Sequence, residues 1–320
     1  MTLVSEQADR SRLRKLADTV GSRGTPSKRV QRGEWWWAYV FILPTTLGLG
    51  IFSIWPIFQT FYFSFTTWGD FGGHDWSGLK NYQHAFRDHE LLQASINTLI
   101  YTGVALLSVP LAIIVAAVLN KPGLRGIGIY RTLYFLPVVT VPSAVALMWK
   151  LLYSGDYGII NWFLRLFGVT GPYWLSDPKV AVFAIGAVAV WSSLGYNMVI
   201  LLAGMQAIPR DFYEAAEIDG AGGIRQFFSI TLPLLTPSIF FVCVITVINT
   251  LQAFDLIYLM VNVNNPALPK TETVVYLFFE RAFVDHNGGY GAAIAFILMI
   301  VVLVLTALQF RLQKRWVHYG

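Results

Sequence analysis

The sequence predicts an all-α integral membrane protein with six transmembrane helices. Of its 320 residues, 55% are hydrophobic and only 13% are charged, and the mean hydropathy is +0.55. Six apolar runs reach the length of about 20 residues that a helix needs to cross a bilayer. The charged residues collect in polar segments between these runs, where loops at the membrane surface would lie. These observations exclude an ordinary soluble domain.

The six predicted spans follow in chain order and form one membrane domain, residues 35–313. The third span is unusual because Pro137 and Pro142 lie within it and Lys150 lies near its end. We expect a kinked helix whose lysine reaches the membrane surface. The spans lie at about 36–65, 96–119, 132–153, 180–205, 234–261 and 292–310.

The basic residues orient these spans. Of the 23 lysine and arginine residues, 16 lie in the N-terminal segment, the 120–131 loop, the 209–230 loop and the C-terminal end. The loops on the opposite side hold the other seven. Since cytoplasmic loops carry an excess of Lys and Arg, we predict that both termini and the 209–230 loop are cytoplasmic.

The two ends of the chain are predicted to be polar tails. Residues 1–34 carry eight arginines and lysines. Such a segment could bind nucleic acid, but we favour a solvated tail that orients the first span and touches anionic membrane lipid, with no nucleic-acid partner. The apolar run after it is too long for a cleavable signal peptide. Residues 314–320 form a short cytoplasmic tail.

The 209–230 loop is the most distinctive polar segment. Its composition favours a short helix at 212–218, with Asp211 as the N-cap. Gly220 ends that helix, because glycine readily adopts the left-handed conformation of a helix C-terminus. A second helical segment at 224–230 leads into the fifth span. Two short helices joined at an angle predict a protruding knob.

The chemistry of this knob suits a protein partner. Glu214 could form an ion pair, and the small side chains of Ala215 and Ala216 would allow another chain to approach closely. A capped helix at the membrane surface without any partner is the simpler alternative. A helix without a partner does not need small, acidic and glycine residues together. We therefore favour a protein partner.

Three outer loops separate the other spans. The first, 66–94, is rich in aromatic residues, and the second, 154–178, contains an expected interfacial helix at 159–167. The third, 262–290, holds an amphipathic stretch at 273–283. Tryptophans favour the membrane–water interface, so we assign Trp35, Trp36 and Trp37 to the inner interface and Trp162 and Trp174 to the outer one.

Several chemistries find no support in the sequence. Cys243 is the single cysteine, which excludes a disulfide within the chain and a thiol metal site, and the five histidines lack metal-ligand spacing. We expect no metal site. The sequence also lacks a GxxxxGK[ST] phosphate-binding loop, so ATP, if it drives the protein, must bind to another subunit.

Polar side chains within two spans are candidates for a solute path. Asn249, Gln252 and Asp255 recur every three residues in the fifth span, which predicts one helix face. In the fourth span several residues cluster near the middle, namely Trp191, Ser192, Ser193, Gly195, Tyr196 and Asn197. Amide, hydroxyl and aromatic groups are suited to sugars, but the same groups also join helices to one another. For Ser192, Ser193 and Asn249 both interpretations stay open.

The motif Glu214-Ala215-Ala216, three residues, Gly220, nine residues and Ile230-Thr231-Leu232-Pro233 resembles the cytoplasmic coupling loop of ABC importer permeases. Further segments resemble the carbohydrate-uptake permeases, the binding-protein-dependent family of maltose and glycerol-3-phosphate type. One departure is Asn264-Asn265-Pro266, where that family usually carries Gly-Gly-Pro. The matching segments are Phe41-Ile42-Leu43-Pro44, Trp55-Pro56, Asn81-Tyr82, Arg131-Thr132-Leu133-Tyr134-Phe135-Leu136-Pro137, Ile208-Pro209 and Phe254-Asp255-Leu256-Ile257-Tyr258.

This resemblance implies a type I ABC importer transmembrane domain in the bacterial inner (cytoplasmic) membrane. It implies four kinds of partner: a second homologous permease, two cytoplasmic ATPase subunits, an extracytoplasmic solute-binding protein and membrane lipid. No cofactor is expected in this chain, since ATP and Mg would be bound by the ATPases. The implied ATPase-coupling residues are Glu214, Ala215, Ala216, Asp219 and Gly220. Our substrate-path candidates are Trp191, Leu194, Gly195, Tyr196, Asn197, Asn249, Gln252 and Asp255, of which Leu194, Gly195 and Gln252 match positions that the resemblance implies.

The sequence therefore predicts the permease subunit of an ATP-driven importer for a sugar, an oligosaccharide or a related polyol. Glycerol-3-phosphate or an amino sugar is an alternative solute. An ion-coupled secondary transporter would need ionisable residues or broken helices at mid-membrane, and these spans are nearly free of charge there. A membrane enzyme would need paired carboxylates or an activated nucleophile in a span, and we find neither.

Overall fold

The computed structural model describes residues 28–68, 73–121, 123 and 126–317. The predictions for residues 1–27 and for the last residues of the C-terminal tail lie outside the described residues. The chain divides into two compact units, residues 1–59 and residues 60–320.

Most of the first predicted span, 36–65, lies in the first unit. Helix α1, Lys28–Leu49, continues through one widened π turn, Gly50–Ile54, into α2, Trp55–Phe63. Tyr39–Phe63 is long and apolar enough to cross a membrane. Pro44 lies inside α1, and the Thr46 hydroxyl donates a hydrogen bond to the Ile42 carbonyl one turn earlier at 3.0 Å.

The second unit is mostly helical and opens with a hairpin. Its α-helices are, in chain order, α3 Lys80–Ala85, α4 His89–Ala105, α5 Ser108–Leu119, α6 Ile127–Val139, α7 Pro142–Leu152, α8 Ile159–Leu166, α9 Ala181–Gln206, α10 Asp211–Ile218, α11 Gly223–Gln226, α12 Leu232–Leu234, α13 Thr236–Leu251, α14 Asp255–Met260, α15 Val274–Phe279 and α16 Gly288–Trp316. A 3₁₀ turn, Leu268–Lys270, and π turns at Phe227–Thr231 and Glu280–Val284 lie between them.

The hairpin corrects the all-α prediction in one detail. Strands β1, Thr66–Trp68, and β2, His74–Trp76, pair antiparallel, with Thr66 opposite Trp76. The rings of Phe65 and Trp76 stack with their centroids 5.4 Å apart and stabilise the hairpin. Such short strands depend on aromatic cross-strand packing, which spacing alone does not reveal.

Within the described residues, four continuous helical stretches are long and apolar enough to cross a membrane, and two bent pairs bring the number to six if each pair counts as one span. The continuous stretches include His89–Leu119, Ala181–Gln206 and Gly288–Arg315. The bent pairs occupy the places predicted for the third and fifth spans.

The third predicted span is broken rather than kinked. Helices α6 and α7 meet at 101°. Between them Thr140 and Val141 are extended, with ψ of 138° and 132°. Pro142 explains this break because a proline disfavours the helical conformation in the residue before it and has no N–H to donate.

The fifth predicted span, 234–261, is not one continuous helix, because it starts at a bend and a break lies inside it. A bend of 64° separates Gly223–Leu234 from α13. Helix α13 then ends at Leu251. Three non-helical residues separate it from α14, which begins at Asp255. The apolar composition continues across both interruptions, so hydropathy alone cannot reveal them.

Helix α9 lies at the centre of the second unit, where three glycines allow neighbours to approach. A Cβ at Gly186 would lie 2.6 Å from Val104 of α4, and one at Gly204 would lie 2.4 Å from Ser238 of α13. A Cβ at Gly195 would lie 2.0 Å from the backbone oxygen of Tyr134 in α6. The three glycines are nine residues apart, which is about two and a half helical turns. Successive glycines therefore lie on opposite faces of α9.

The helix predicted at 159–167 is confirmed as α8. Its apolar residues point outwards, while Asn161 is buried and donates hydrogen bonds to the carbonyls of Gly155 and Pro172 at 3.0 and 3.2 Å. The indole N–H of Trp174 donates to the Asn161 side-chain oxygen at 2.7 Å. Helix α8 thus exposes apolar side chains and buries one polar side chain. An exposed apolar face is typical of a helix that lies at a membrane surface.

Candidate functional site

The coupling loop, residues 209–230, folds as a helix that ends on a glycine. Gly220 has φ of +74°. Its N–H donates to the Glu217 carbonyl at 3.0 Å, and the N–H of Ala221 donates to the Ala216 carbonyl at 2.8 Å. This pair of bonds is the Schellman arrangement, which requires a left-handed residue at the turn. The predicted role of Gly220 as the end of the helix is therefore confirmed.

The predicted N-cap is wrong by one residue. Helix α10 begins at Asp211, and the cap position belongs to Arg210, whose side chain makes no capping hydrogen bond. Asp211 instead lies in the first turn with Glu214. Both carboxylates are stabilised there by the positive end of the helix dipole. This interaction explains the acidic residues as well as the predicted N-cap role of Asp211 did.

Polar contacts tie the coupling loop to the start of the fifth span. The Tyr213 hydroxyl of α10 lies 2.9 Å from the Thr231 hydroxyl, one residue before α12. The Gln226 side chain donates to the Ala221 carbonyl at 3.0 Å and closes the turn after Gly220. A force applied to α10 would therefore reach the fifth span directly.

The surface of the coupling loop combines apolar and acidic groups. Ile218 and Ile224, on either side of Gly220, are 87% and 80% exposed. Glu214, Ala215, Asp219 and Gly220 are exposed and Ala216 is half-buried. Among the described residues Glu214 makes no ion pair. Large exposed apolar side chains beside charges mark a surface for another protein.

The fourth-span candidates divide into packed and exposed groups. Asn197 is 1% exposed and donates to the Ser108 hydroxyl of α5 at 2.9 Å. Gly195 is buried against α6, as described above. Trp191 is half-buried, with its ring centroid 5.5 Å from that of Trp149, and Leu194 is half-buried beside the core around Met198. Tyr196 alone in this set is exposed.

The fifth-span candidates are all exposed, but they do not share one helix. Asn249 lies in α13, Gln252 is the residue that follows its end, and Asp255 is the first residue of α14. The predicted common helix face is therefore wrong, because the helix breaks between them. The break itself places Gln252 where the backbone leaves its helical course.

A threonine that the sequence did not single out supports this break. Thr273 is fully buried and lies 20 residues after Ala253. Its hydroxyl donates a hydrogen bond to the Ala253 carbonyl at 2.7 Å. The same oxygen accepts from the N–H of Tyr276 and caps α15. Breaking a membrane helix leaves carbonyls that must find another donor. No local pattern marks Thr273, since its partner is distant in the sequence.

Buried polar atoms also lie near the centre of the fourth span. In the part of the chain that the structure describes, the Ser192 hydroxyl and the Trp149 indole N–H are buried without a hydrogen-bond partner. The Ser193 hydroxyl instead donates to the Ala189 carbonyl at 2.8 Å, within α9. Unpaired groups of this kind are available to water or to a hydroxylated solute.

The third outer loop is fastened to α4 around a buried carboxyl. The Asn97 amide donates to the carbonyls of Pro269 and Glu272 at 3.1 and 3.0 Å. The Glu272 residue is only 8% exposed. Burial, together with the negative charges of Glu280 and Glu90, raises the pKa of its carboxyl to about 7.

The sequence of this chain is similar to those of membrane transport proteins. Residues 108–318 match the family described as "Binding-protein-dependent transport system inner membrane component". The probable ABC transporter permease protein YesP of Bacillus subtilis (strain 168) is 34% identical over 286 residues, covering 88% of this chain and 91% of the relative. The sn-glycerol-3-phosphate transport system permease protein UgpA of Agrobacterium fabrum (strain C58 / ATCC 33970) is 35% identical over 287 residues, covering 88% and 96%.

The fold is also similar to a solved structure. A chain from a bacterial ABC transporter involved in the import of the acidic polysaccharide alginate superposes with a TM-score of 0.80 at 22% identity. The superposition covers 90% of this chain and 99% of that one. The overall fold is thus shared with a transporter of known structure.

Proposed function

Because this chain belongs to the family of binding-protein-dependent transport system inner membrane components, we propose that it lines the path of an ATP-driven importer for a sugar, an oligosaccharide or a related polyol. It is a permease subunit and a multi-pass inner-membrane component, not an enzyme. ATP hydrolysis in such an importer belongs to partner subunits.

The observation that carries the mechanism is the construction of the coupling loop. Its exposed apolar and acidic surface suits a cleft on an ATPase subunit, with Glu214, Asp219 and Gly220 at the contact and Ala215 and Ala216 beside them. Closure of the ATPase pair would move this loop. The bond between Tyr213 and Thr231 would transmit that motion to the fifth span, and the path would alternate between outward- and inward-facing states.

The exposed polar groups of the fourth and fifth spans support the proposed path. Polar side chains are rarely turned towards lipid, so Tyr196, Asn249 and Gln252 suit a solute path or the second permease. The helix break at Gln252 suits a transport site of either an importer or an ion-coupled transporter, and the family favours the importer. For Asn197 and Gly195 the contacts with α5 and α6 favour a packing role.

The topology belongs to the same proposal. Six spans require that each bent pair crosses the membrane once, which places both termini and the coupling loop on one side. The excess of basic residues supports the cytoplasm as that side. A second homologous permease, two ATPases and an extracytoplasmic solute-binding protein would complete the assembly, and the family description supports the dependence on a binding protein.

The relatives bear on the solute. The Agrobacterium relative is named for sn-glycerol-3-phosphate transport, which supports a phosphorylated polyol as an alternative to an uncharged sugar. An ion-coupled mechanism would be revived by uptake that survives ATP depletion and collapses with an ionophore.

The experiment for the coupling mechanism is Gly220→Pro in the assembled transporter. Proline holds φ near −65°, whereas this position needs +74°, so the turn after α10 cannot form. We expect solute-stimulated ATP hydrolysis to be lost while the solute-binding protein still binds its ligand.

Gly222→Pro is the matched control. Gly222 has φ of −68°, which a proline ring already adopts, and a side chain there meets open space. We expect coupled ATP hydrolysis to survive in this variant. Normal coupling in Gly220→Pro would show that the turn does not transmit motion.

A further inference from the structure

A cleft of about 350 Å³ opens between the second outer loop and the end of the fifth span. The end of α7 and the segments that flank α8 form one wall, and the turn after α14 forms the other. This volume is in the range of small-molecule sites. The polar residues that line it include Lys150, Tyr157, Tyr173, Ser176, Asn262 and Asn265. We call this space the outer cleft.

Side-chain hydrogen bonds hold the walls of the outer cleft together. The Lys150 ammonium donates to the Asn262 side-chain oxygen at 3.0 Å and joins α7 to the turn after α14. The Asn265 amide donates to the Leu175 carbonyl at 3.0 Å, and its side-chain oxygen accepts from the N–H of Ala267 at 2.9 Å. The shape of the cleft therefore does not depend on a ligand.

These bonds give a purpose to the unusual Asn264-Asn265-Pro266 turn. Asn265 provides both a donor across the cleft and an acceptor within the turn. A glycine at this position, as in the Gly-Gly-Pro pattern, would make neither bond. The turn of this chain thus builds one wall of the outer cleft.

The charge of the outer cleft has one sign. Lys150 is the charged residue among those that line it. Within the described part of the chain, no carboxylate lies within ion-pair distance of its ammonium. Lysine has three N–H donors, and Asn262 accepts one of them. Two acids adjoin the lining residues: the carboxylate of Asp156 accepts a hydrogen bond from the Tyr173 hydroxyl at 3.2 Å, and that of Asp177 accepts one from the N–H of Lys179 at 2.9 Å.

The remaining lining suits a hydroxylated molecule. Tyr157 and Tyr173 present exposed rings, and Ser176 and Asn262 bring a hydroxyl and an amide to the same space. Aromatic faces pack on the apolar side of a polyol, while hydroxyls and amides bond to its oxygens. A cation beside these groups adds a preference for an acidic substituent.

The geometry points to a second binding site in this chain, in which the outer cleft takes an anionic polyol, that is, a phosphate or carboxylate joined to hydroxylated carbons. Lys150 binds the anionic group, and the tyrosines and Asn262 hold the hydroxylated part. The ligand has two possible sources, a soluble solute or the phosphoglycerol headgroup of a lipid at the membrane surface. The outward position of the cleft rests on the proposed function and its topology.

The test is protection of Lys150 from a membrane-impermeant amine reagent, read by mass spectrometry on the whole assembly in nanodiscs and in oriented vesicles. The probes are glycerol-3-phosphate and galacturonate, with glycerol, galactose and inorganic phosphate for comparison. Lys179 is the internal control, because it is an exposed lysine of the same outer loop that does not line the cleft.

We expect the two anionic polyols to slow modification of Lys150 by about threefold when they are present at about twice their Kd. Glycerol and galactose should give no protection, inorganic phosphate should give less, and Lys179 should react at one rate throughout. Tyr157→Ala should reduce the protection. If nanodiscs with phosphatidylglycerol protect Lys150 without a soluble anion, and zwitterionic ones do not, the ligand is the lipid headgroup.

Three results would overturn parts of the inference separately. Equal effects of every anion on Lys150 and Lys179 would mean general screening of charge, and the site would be rejected. Protection by neutral polyols alone would also reject it. If Lys150 and Lys179 react only from the cytoplasmic side of the vesicles, the topology fails and the proposed function fails with it.

Discussion

Gly195 shows how little room separates the fourth span from the third. Its position allows the backbone of α9 to lie against the backbone of α6 at Tyr134. The sequence placed Gly195 in a solute path, whereas its neighbours in the structure are backbone atoms of another helix. Small residues at helix contacts are common in membranes because close approach is the main source of attraction there.

We expect Gly195→Ala to lower the stability of the protein by about 1–3 kcal/mol, the usual effect of forcing a methyl group into filled space. The measurement is the free energy of unfolding in detergent. Gly103→Ala is the matched control, since Gly103 lies in α4 and a Cβ there meets nothing within 4 Å. Equal losses in the two variants would contradict the packing assignment.

Glu272 makes stability depend on pH. The pKa of its carboxyl is raised from 4.5 to about 7 in the folded protein, so the folded form holds the proton more tightly than the unfolded form. The sign follows from linkage. Its favourable contribution is complete below pH 4.5, falls as the pH rises, and is lost above about pH 7.

We expect Glu272→Gln to remove this contribution to the pH dependence, because the amide stays neutral. The measurement is the thermal unfolding midpoint across that pH window. Asp75→Asn, at an exposed aspartate of the outer hairpin, should leave the slope as it is in the unchanged protein. A slope in Glu272→Gln equal to that of the unchanged protein would show that other groups produce it.

At the scale of elements, the fifth span is the part of the molecule built to bend. It carries a 64° bend near its N-terminal end and a break after Leu251. The coupling loop connects to the first of these through Tyr213, and Gln252 lies at the second. A helix with two interruptions can change direction without unfolding, which suits a path that opens alternately to the two sides.

We expect Thr273→Val to destabilise the protein by about 1–3 kcal/mol, since the carbonyl of Ala253 would lose its side-chain donor in a buried place. Solute-stimulated ATP hydrolysis should fall with it, because the break would no longer hold its shape. Thr250→Val is the matched control. Thr250 is also buried, but its hydroxyl donates within α13, to Thr246, so the change should be small.

For the whole molecule, the arrangement of spans decides which surfaces meet which partners. The coupling loop and the outer cleft must face opposite sides of the membrane for the proposed function to hold. The side of the coupling loop depends on counting α6 with α7 as a single crossing, and the side of the turn after α14 depends also on counting the fifth span as one. A re-entrant course for either pair would reverse the side of everything that follows.

We expect cysteines placed on the two loops to react from opposite sides. In a Cys243→Ser background, Lys179→Cys should react with an impermeant maleimide in intact cells. Gly222→Cys should react only after the cells are opened. Both positions are exposed, so a lack of reaction would not reflect burial. Reaction of Gly222→Cys from outside would refute the cytoplasmic coupling loop.

Much of the candidate site could be predicted from the sequence, and the reasons are local. The helix at 211–218 and the turn at Gly220 follow from propensity and from the one residue that tolerates positive φ. The acidic and small residues around them lie in one short segment. Asn197 and Gly195 could not be assigned in this way, because Ser108 and Tyr134, which they contact, lie far away in the chain.

Motifs in the sequence resemble those of permeases. The sequence by itself also determined that the chain is a membrane protein, where its apolar runs and polar loops lie, and which loop turns at a glycine. These features follow from the length of apolar runs, the distribution of charge and short-range backbone preferences. Only the tertiary structure decided that the third and fifth spans are broken, that Thr273 supports the second break, and that Lys150 and Asn262 close a cleft. These depend on contacts between distant residues, and neither hydropathy nor spacing records such contacts.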